Sequence, residues 1–298
     1  MKWDDKGPSE DLEDRRGESS GGGGGGFRLG GGRLGIGGFL VLLVLSVVFK
    51  TDLTGALGGG GGGAVQMPLP GADPTSGQAL PPKETSAQEE QLVKFMSFVL
   101  DDAQDNWAKV FEASNAQYTR ARLVLFRNQV NTGCGGAQSA SGPFYCPADQ
   151  KVYIDLEFYD ELRRRFGAPG DFAQAYVLAH EIGHHIQNLT GTEAKMRELQ
   201  ARNPGARNEL SVRLELQADC YAGIWGKHAQ QAGRLDDGDV DEALKAASAV
   251  GDDRISAMTG SSIRPESFTH GSAAQRTTWF RRGFDSGRID ACDTFSSK

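Results

Sequence analysis

The sequence predicts an α+β fold, mainly helical with a small β-sheet, for the C-terminal part of the 298-residue chain. In this part apolar residues recur mostly at the spacing of amphipathic helices, and two short stretches have the composition of strands. The earlier part contains glycine runs at residues 21–26 and 58–63, which bury too little apolar surface to fold. The chain therefore divides into four parts: residues 1–33, 34–50, 51–85 and 86–298.

The two glycine-rich parts are expected to lack a fold of their own. Residues 1–33 are polar and charged without apolar periodicity, and residues 10–16 form a charge run typical of a solvated segment. We expect disorder over residues 1–33. Residues 51–85, with glycines followed by five prolines, predict a flexible linker.

In the part 34–50, residues 34–49 are almost wholly apolar and lie between Arg33 and Lys50. As a helix they would be roughly 24 Å long, short of the hydrocarbon core of about 30 Å but workable with local thinning. Arginines are concentrated before the segment, which predicts a single-pass signal anchor with residues 1–33 in the cytoplasm and the domain on the periplasmic or extracellular side. A cleaved signal peptide, with Thr54-Gly55-Ala56 as the cleavage site, is the alternative. The arginines are Arg15, Arg16, Arg28 and Arg33.

The folded domain begins near Ser86. Apolar residues from Leu92 to Phe111 recur at helical spacing with an interruption at Asp101-Asp102, which predicts one or two helices. Residues 122–126 and 151–156 are predicted strands that could pair through the loop between them.

Helices dominate the rest of the domain. Asp171 is the predicted cap of a helix that continues to residue 189. After a turn at Pro204-Gly205, Asn208 is a possible cap of a long helix that reaches Trp225. Shorter helices are predicted around residues 240–250 and 273–284.

The helix over residues 171–189 contains a complete H-E-x-x-H motif, His180-Glu181-Ile182-Gly183-His184. The two histidines are four residues apart and project from one face, so both imidazoles can bind the same ion. This pattern predicts two zinc ligands with Glu181 as general base, and a core helix with incidental histidines is the alternative.

A catalytic zinc needs a third protein ligand, for which Glu215 is the candidate. Asp219 lies one turn further along the same helix and could accept the second N–H of a ligand histidine. Zinc would lower the pKa of bound water from about 16 to about 7, and Glu181 would take the proton of that water. His270, with Arg276 six residues on, is the candidate for stabilising the oxyanion. The remaining histidines, His185 and His228, are expected to be structural.

Several motifs together resemble the bacterial neutral zinc metallopeptidase family. The resemblance implies a zincin-like peptidase domain, exported behind a single-pass membrane anchor. H-E-x-x-H followed by Glu215 also resembles the thermolysin-like proteases. Thr269-His270 with Arg276 is similar to an element of the CAAX-processing proteases. In this chain Gly271 stands where that element has a proline. The motifs that carry the family resemblance are Glu13-Asp14-Arg15-Arg16, Asp52-Leu53-Thr54-Gly55, Gly142-Pro143-Phe144-Tyr145-Cys146-Pro147, Ala179-His180-Glu181-Ile182-Gly183-His184-His185, residues 215–221 and Cys292-Asp293-Thr294-Phe295.

The four cysteines contain no C-x-x-C pair, which disfavours a structural zinc ribbon. In an exported domain they are expected to form disulfides. Proximity favours Cys134 with Cys146, and the remaining pair would be Cys220 with Cys292, although four cysteines permit three connectivities.

The sequence thus predicts a membrane-anchored zinc endopeptidase that acts on peptides or proteins. One of its two predicted strands could align the substrate by main-chain hydrogen bonds. The net charge of −7 and the lack of a basic stripe exclude nucleic acid as a partner. The alternatives are a catalytically silent binding module of the cell envelope, in which zinc only stabilises the fold, and an envelope scaffold.

Overall fold

The structure is a computed structural model that describes residues 1–18 and 85–296. The predicted anchor at residues 34–50 and nearly all of the predicted linker lie outside these residues. Within the two described ranges, no helix has the length and apolar character needed to cross a membrane. The anchor therefore stays a prediction.

The predicted class, mainly helical α+β with small sheets, is confirmed for the described part of the chain. That part contains eight α-helices and six strands. The helices are α1 (Ala87–Ala113), α2 (Glu157–Arg164), α3 (Asp171–Leu189), α4 (Thr192–Arg202), α5 (Arg207–Gln231), α6 (Asp239–Ala249), α7 (Asp252–Thr259) and α8 (Ala273–Ser286). The strands are β1 (Leu12–Asp14), β2 (Arg122–Phe126), β3 (Gln129–Thr132), β4 (Gly135–Gln138), β5 (Phe144–Cys146) and β6 (Lys151–Asp155).

The main sheet has four strands in the order β1-β2-β6-β5, and β3 with β4 forms a separate hairpin. Both strands predicted from sequence are present and pair with each other in parallel, with Leu123 opposite Val152. The parallel direction needs a crossover, which the hairpin and β5 provide. β5 runs antiparallel to β6 and forms one edge of the sheet.

The prediction of disorder over residues 1–33 is wrong for residues 1–18. Residues 12–14 form β1, which pairs in parallel with β2. The charge run is ordered because its charges meet opposite charges of the domain: Glu13 pairs with Lys151 at 2.8 Å and Arg16 with Glu89 at 2.9 Å.

Helix α1 is continuous through Asp101-Asp102, where an interruption was predicted. Asp102 is buried and accepts a hydrogen bond from Trp225 Nε1 at 2.9 Å, so its carboxylate has a hydrogen-bond partner inside the core. The two predicted caps are also wrong. Gly170 and Ala206 are the N-caps of α3 and α5, while Asp171 accepts from the Met1 ammonium at 2.8 Å and the side chain of Asn208 donates to the Glu266 carbonyl.

Helices α3, α5 and α8 pack at very short range through glycines. A Cβ at Gly183 on α3 would lie 2.9 Å from the carbonyl oxygen of Ala218 on α5. A Cβ at Gly283 on α8 would lie 1.9 Å from the Cys220 carbonyl oxygen. These contacts bring the residues after Glu215 directly against the helix that carries the H-E-x-x-H motif.

Both expected disulfides are present. Cys134 is bonded to Cys146 with a Cα separation of 5.8 Å, which ties the β3–β4 hairpin to the edge strand β5. Cys220 is bonded to Cys292 with a Cα separation of 5.6 Å, which ties α5 to the C-terminal segment.

Candidate metal centre

Three side chains converge between α3 and α5. Glu215 Oε2 lies 3.3 Å from His180 Nε2, and Glu215 Oε1 lies 3.6 Å from His184 Nε2. One ligand atom from each residue lies within 4.8 Å of the others. The three donors expected from sequence are therefore brought to one point by two helices that contact at Gly183.

The Asp219 carboxylate orients His180. His180 Nδ1 lies 2.9 Å from Asp219 Oδ1, so its N–H donates to the carboxylate and the lone pair of Nε2 is directed at the donor cluster. Asp219 is fully buried and also accepts from the Tyr176 hydroxyl and from Arg276. Asp219 thus has the contact with a candidate ligand that the sequence predicted.

Gln187 does the same for His184 and was missed from sequence. His184 Nδ1 lies 2.9 Å from Gln187 Oε1, while Gln187 Nε2 donates to the Leu214 carbonyl at 2.7 Å. This amide is buried and links α3 to α5. Its position three residues after His184 on a helix is the signal that could have identified it.

Burial and mutual charge set the protonation of the cluster. Burial lowers the pKa of His180, but Asp219 outweighs this and raises it to about 9. Burial favours the neutral form of Glu215, yet the histidines outweigh it and hold its pKa well below the usual value. The pKa of Glu181 is raised, mainly by burial. The cluster thus combines one strongly ionised carboxylate with one carboxyl group that holds its proton more readily.

The loop that carries His270 packs against α5 beside the cluster: a Cβ at the next residue, Gly271, would lie 3.3 Å from Cδ2 of Leu216, which follows Glu215. His270 Nδ1 lies 3.1 Å from Asp252 Oδ1. The other oxygen of Asp252 accepts the backbone N–H groups of Thr269 and His270 at 2.7 Å and of Gly271 at 3.0 Å. Asp252 therefore fixes both the loop and the ring, and sequence reasoning gave no sign of it because it lies 18 residues before His270.

Arg276 contacts Asp219, the carboxylate that orients His180. Its Nε donates to Asp219 Oδ2 at 2.8 Å and its Nη2 to Asp219 Oδ1 at 2.9 Å. The side chain is buried, and Nη2 also reaches the Tyr176 hydroxyl at 3.2 Å. The guanidinium is therefore bound to the carboxylate behind His180.

The two remaining histidines lie outside the cluster. His185 is fully buried, donates from Nε2 to the Thr119 carbonyl at 2.6 Å and has Nδ1 2.9 Å from the Tyr145 hydroxyl. His228 is half-buried near the end of α5, and burial lowers its pKa. Neither contributes to the group of candidate ligands.

Comparison with known proteins gives the family. A family model described as "Putative neutral zinc metallopeptidase" matches residues 1–295. The chain belongs to this family. It is similar to the uncharacterized protein YpfJ of Escherichia coli K12, with 46% identity over 300 aligned positions that cover 99% of each chain. It is also similar to the uncharacterized protein Rv2575 of Mycobacterium tuberculosis H37Rv, with 47% identity over 193 positions, which cover 60% of this chain and 64% of the relative. No solved structure matches the chain.

Zinc is the cofactor that this family implies, and the residues fit it. Two imidazole nitrogens and one carboxylate are a donor set of catalytic zinc sites, which leave the fourth position to water or substrate. The Nδ1 atoms of His180 and His184 each have a partner that leaves Nε2 free for the ion. The described residues near the cluster include no cysteine thiolate, because the four cysteines are in disulfides.

Proposed function

We propose that the chain is a zinc-dependent endopeptidase whose zinc ligands are His180, His184 and Glu215 and whose general base is Glu181. The observation that carries this proposal is the three-donor cluster with a fourth, separately buried carboxyl group beside it. A closed structural site usually has four protein ligands. Three ligands with an adjacent acid are the arrangement that hydrolysis requires.

Zinc, when bound, supplies the Lewis acidity that polarises a peptide carbonyl and acidifies water. Glu181 would take a proton from the attacking water and return it to the amine that leaves. Its burial supports both steps, because a pKa raised toward neutrality makes the carboxylate a better base and the carboxyl group a usable acid.

His270 is the proposed donor to the oxyanion. Its Nδ1–H donates to the Asp252 carboxylate. Burial lowers the pKa of His270, but Asp252 outweighs this and raises it, which favours a protonated ring with a second N–H, on Nε2, that could donate to the substrate oxyanion. Asp252 is a positioning residue in this proposal, because it contacts the ring and the backbone of His270 and not the substrate.

The edge strand β5 is the proposed site of substrate alignment. Either of the two strands predicted from sequence was expected to align the peptide, but β2 and β6 lie inside the sheet with a neighbour on both sides. β5 has a partner on one side in the described sheet, and the Tyr145 hydroxyl on β5 contacts His185 of α3 at 2.9 Å. An extended peptide could add to this edge by main-chain hydrogen bonds.

We further propose that the protein is attached to the cell membrane through residues 34–50, with the domain on the periplasmic or extracellular side. The apolar composition of that segment supports attachment. Two disulfides in the domain support an oxidising compartment.

Replacement of the general base tests the proposal. Glu181→Gln should keep the fold and bound zinc but abolish cleavage of an unfolded protein such as casein by the zinc-loaded enzyme. Glu209→Gln, at a 65% exposed carboxylate on α5, is the matched control and should cleave like the wild type. Unaltered cleavage by Glu181→Gln would refute the mechanism, and zinc binding without any cleavage by the wild type would favour the silent binding module.

The third ligand has its own test. Glu215→Gln should weaken zinc binding by at least about tenfold, measured by competition with a chelator. Unchanged affinity would remove Glu215 from the site.

A further inference from the structure

The first residues of the chain form an extended interface with the domain. Backbone hydrogen bonds join both ends of β1 to β2. Leu123 N donates to the Asp11 carbonyl at 2.8 Å, and Arg15 N donates to the Leu125 carbonyl at 2.8 Å. The segment is therefore a strand of the main sheet, in a register set by main-chain bonds to β2.

The Glu13-Asp14-Arg15-Arg16 motif supplies the charges of this interface. Glu13 pairs with Lys151 at 2.8 Å and with Arg122 at 3.1 Å. Arg16, whose side chain is only 4% exposed, pairs with Glu89 at 2.9 Å and with Glu90 at 2.9 Å. These partners lie more than 70 residues further along the chain. The motif therefore forms its ion pairs with the domain and not only within its own segment.

The residues before β1 continue the same interface. The Ser9 hydroxyl donates to Asp101 at 2.6 Å, and Asp5 pairs with Lys94 at 2.8 Å. The ring of Trp3 packs against Phe95 with centroids 5.5 Å apart. Apolar contacts, ion pairs and main-chain bonds thus extend over residues 3–16.

This packing conflicts with a single membrane crossing between the two segments. Paired strands lie about 4.8 Å apart, whereas a bilayer core separates its two sides by about 30 Å. Segments on opposite sides could make none of these contacts. Arg15 and Arg16, used to orient the predicted anchor, lie at the outer limit of about 15–20 residues for that effect, and both are paired with carboxylates.

We propose that residues 1–18 and the domain lie in the same compartment, on one side of the membrane. The shared compartment replaces the predicted topology, in which residues 1–33 and the domain lie on opposite sides of the membrane. It does not depend on peptidase activity.

Accessibility in cells tests the shared compartment. The four native cysteines are paired, so a single new cysteine can be labelled selectively. Lys6→Cys reports on the N-terminal segment and Ala194→Cys on the domain, and both positions are exposed. Each full-length variant is treated with a charged, membrane-impermeant maleimide in intact spheroplasts and again after lysis.

The ratio of labelling in spheroplasts to labelling after lysis should agree for the two variants within about twofold. Labelling of both in spheroplasts supports the proposal and an exported domain. Labelling of both only after lysis supports the proposal and overturns the exported location proposed above. Labelling of one in spheroplasts and of the other only after lysis overturns the proposal.

A charge reversal tests the interface itself in the purified full-length protein. Glu13→Lys should lower the melting temperature by about 2–4 °C, and adding Lys151→Glu should restore part of the loss. Glu10→Lys, at an exposed position of the same segment, is the control and should change little. A melting temperature unaffected by Glu13→Lys would overturn the interface.

Discussion

Gly183 should be as important for zinc affinity as a ligand, because it sets the distance between the two helices that carry the ligands. A Cβ there would lie 2.9 Å from the carbonyl oxygen and 3.0 Å from the Cα of Ala218. Comfortable contacts need about 3.5–4.0 Å, so Gly183→Ala should separate α3 from α5 by about 0.5–1 Å. The obstacle is backbone, which cannot rotate away.

Stability alone would not reveal this effect clearly. The strain of overpacking costs about 1–3 kcal/mol, whereas alanine gains about 1 kcal/mol over glycine inside a helix. The net change in the free energy of unfolding is therefore about 0–2 kcal/mol. Zinc affinity is more sensitive, since ligand distances must hold within about 0.2 Å and the ligands lie on both helices.

We expect Gly183→Ala to weaken zinc binding by at least about tenfold, measured by competition with a chromophoric chelator at constant pH. Gly205→Ala is the control, because a Cβ there would lie 3.6 Å from the Asn203 amide oxygen. Circular dichroism checks that both variants are folded. A folded Gly183→Ala protein with wild-type zinc affinity would show that helix spacing does not control the site.

Three further predictions concern the supports of the site and the N-terminal strand. Gln187→Met should weaken zinc binding about 10- to 100-fold by freeing the ring of His184, and an unchanged affinity would argue against its role. Replacing Cys220 and Cys292 together by alanine should lower the free energy of unfolding by about 4 kcal/mol in urea titrations, because the bond closes a loop with a sequence separation of 72. Burial raises the pKa of Glu13, but its three cationic partners outweigh this and lower the pKa to about 2. The contribution of Glu13 to the free energy of unfolding should therefore be complete above the unfolded pKa of 4.5 and lost as pH falls toward 2. Glu13→Gln should show a flatter dependence of stability on pH than the wild type.

The order of elements within the domain could be predicted from sequence because it follows from local patterns. Helical spacing gave α3 and α5, and composition gave β2 and β6, since these features act over a few residues. Local patterns also predicted His180, His184 and Glu215 as metal ligands. In the structure, one ligand atom from each of these residues lies within 4.8 Å of the others.

Non-local pairing is what the sequence concealed. Residues 10–16 have the composition of a solvated segment, and only the distant partners Lys151, Glu89 and Glu90 make them a strand. Asp252 was missed for the same reason, because a single aspartate acquires its role from the loop that folds back onto it. Composition describes what a segment can do alone, which here differs from what it does against the domain.

Arg276 shows how the buried charges around His180 balance one another. Asp219 alone would raise the pKa of His180 further and make a proton a stronger competitor for the nitrogen that should bind zinc. Arg276 lowers the pKa of His180 through its own charge while it binds both oxygens of Asp219. The carboxylate can then hold the ring in place by a hydrogen bond without presenting its full negative charge. The contact with Asp219 is therefore the contact by which Arg276 favours metal binding.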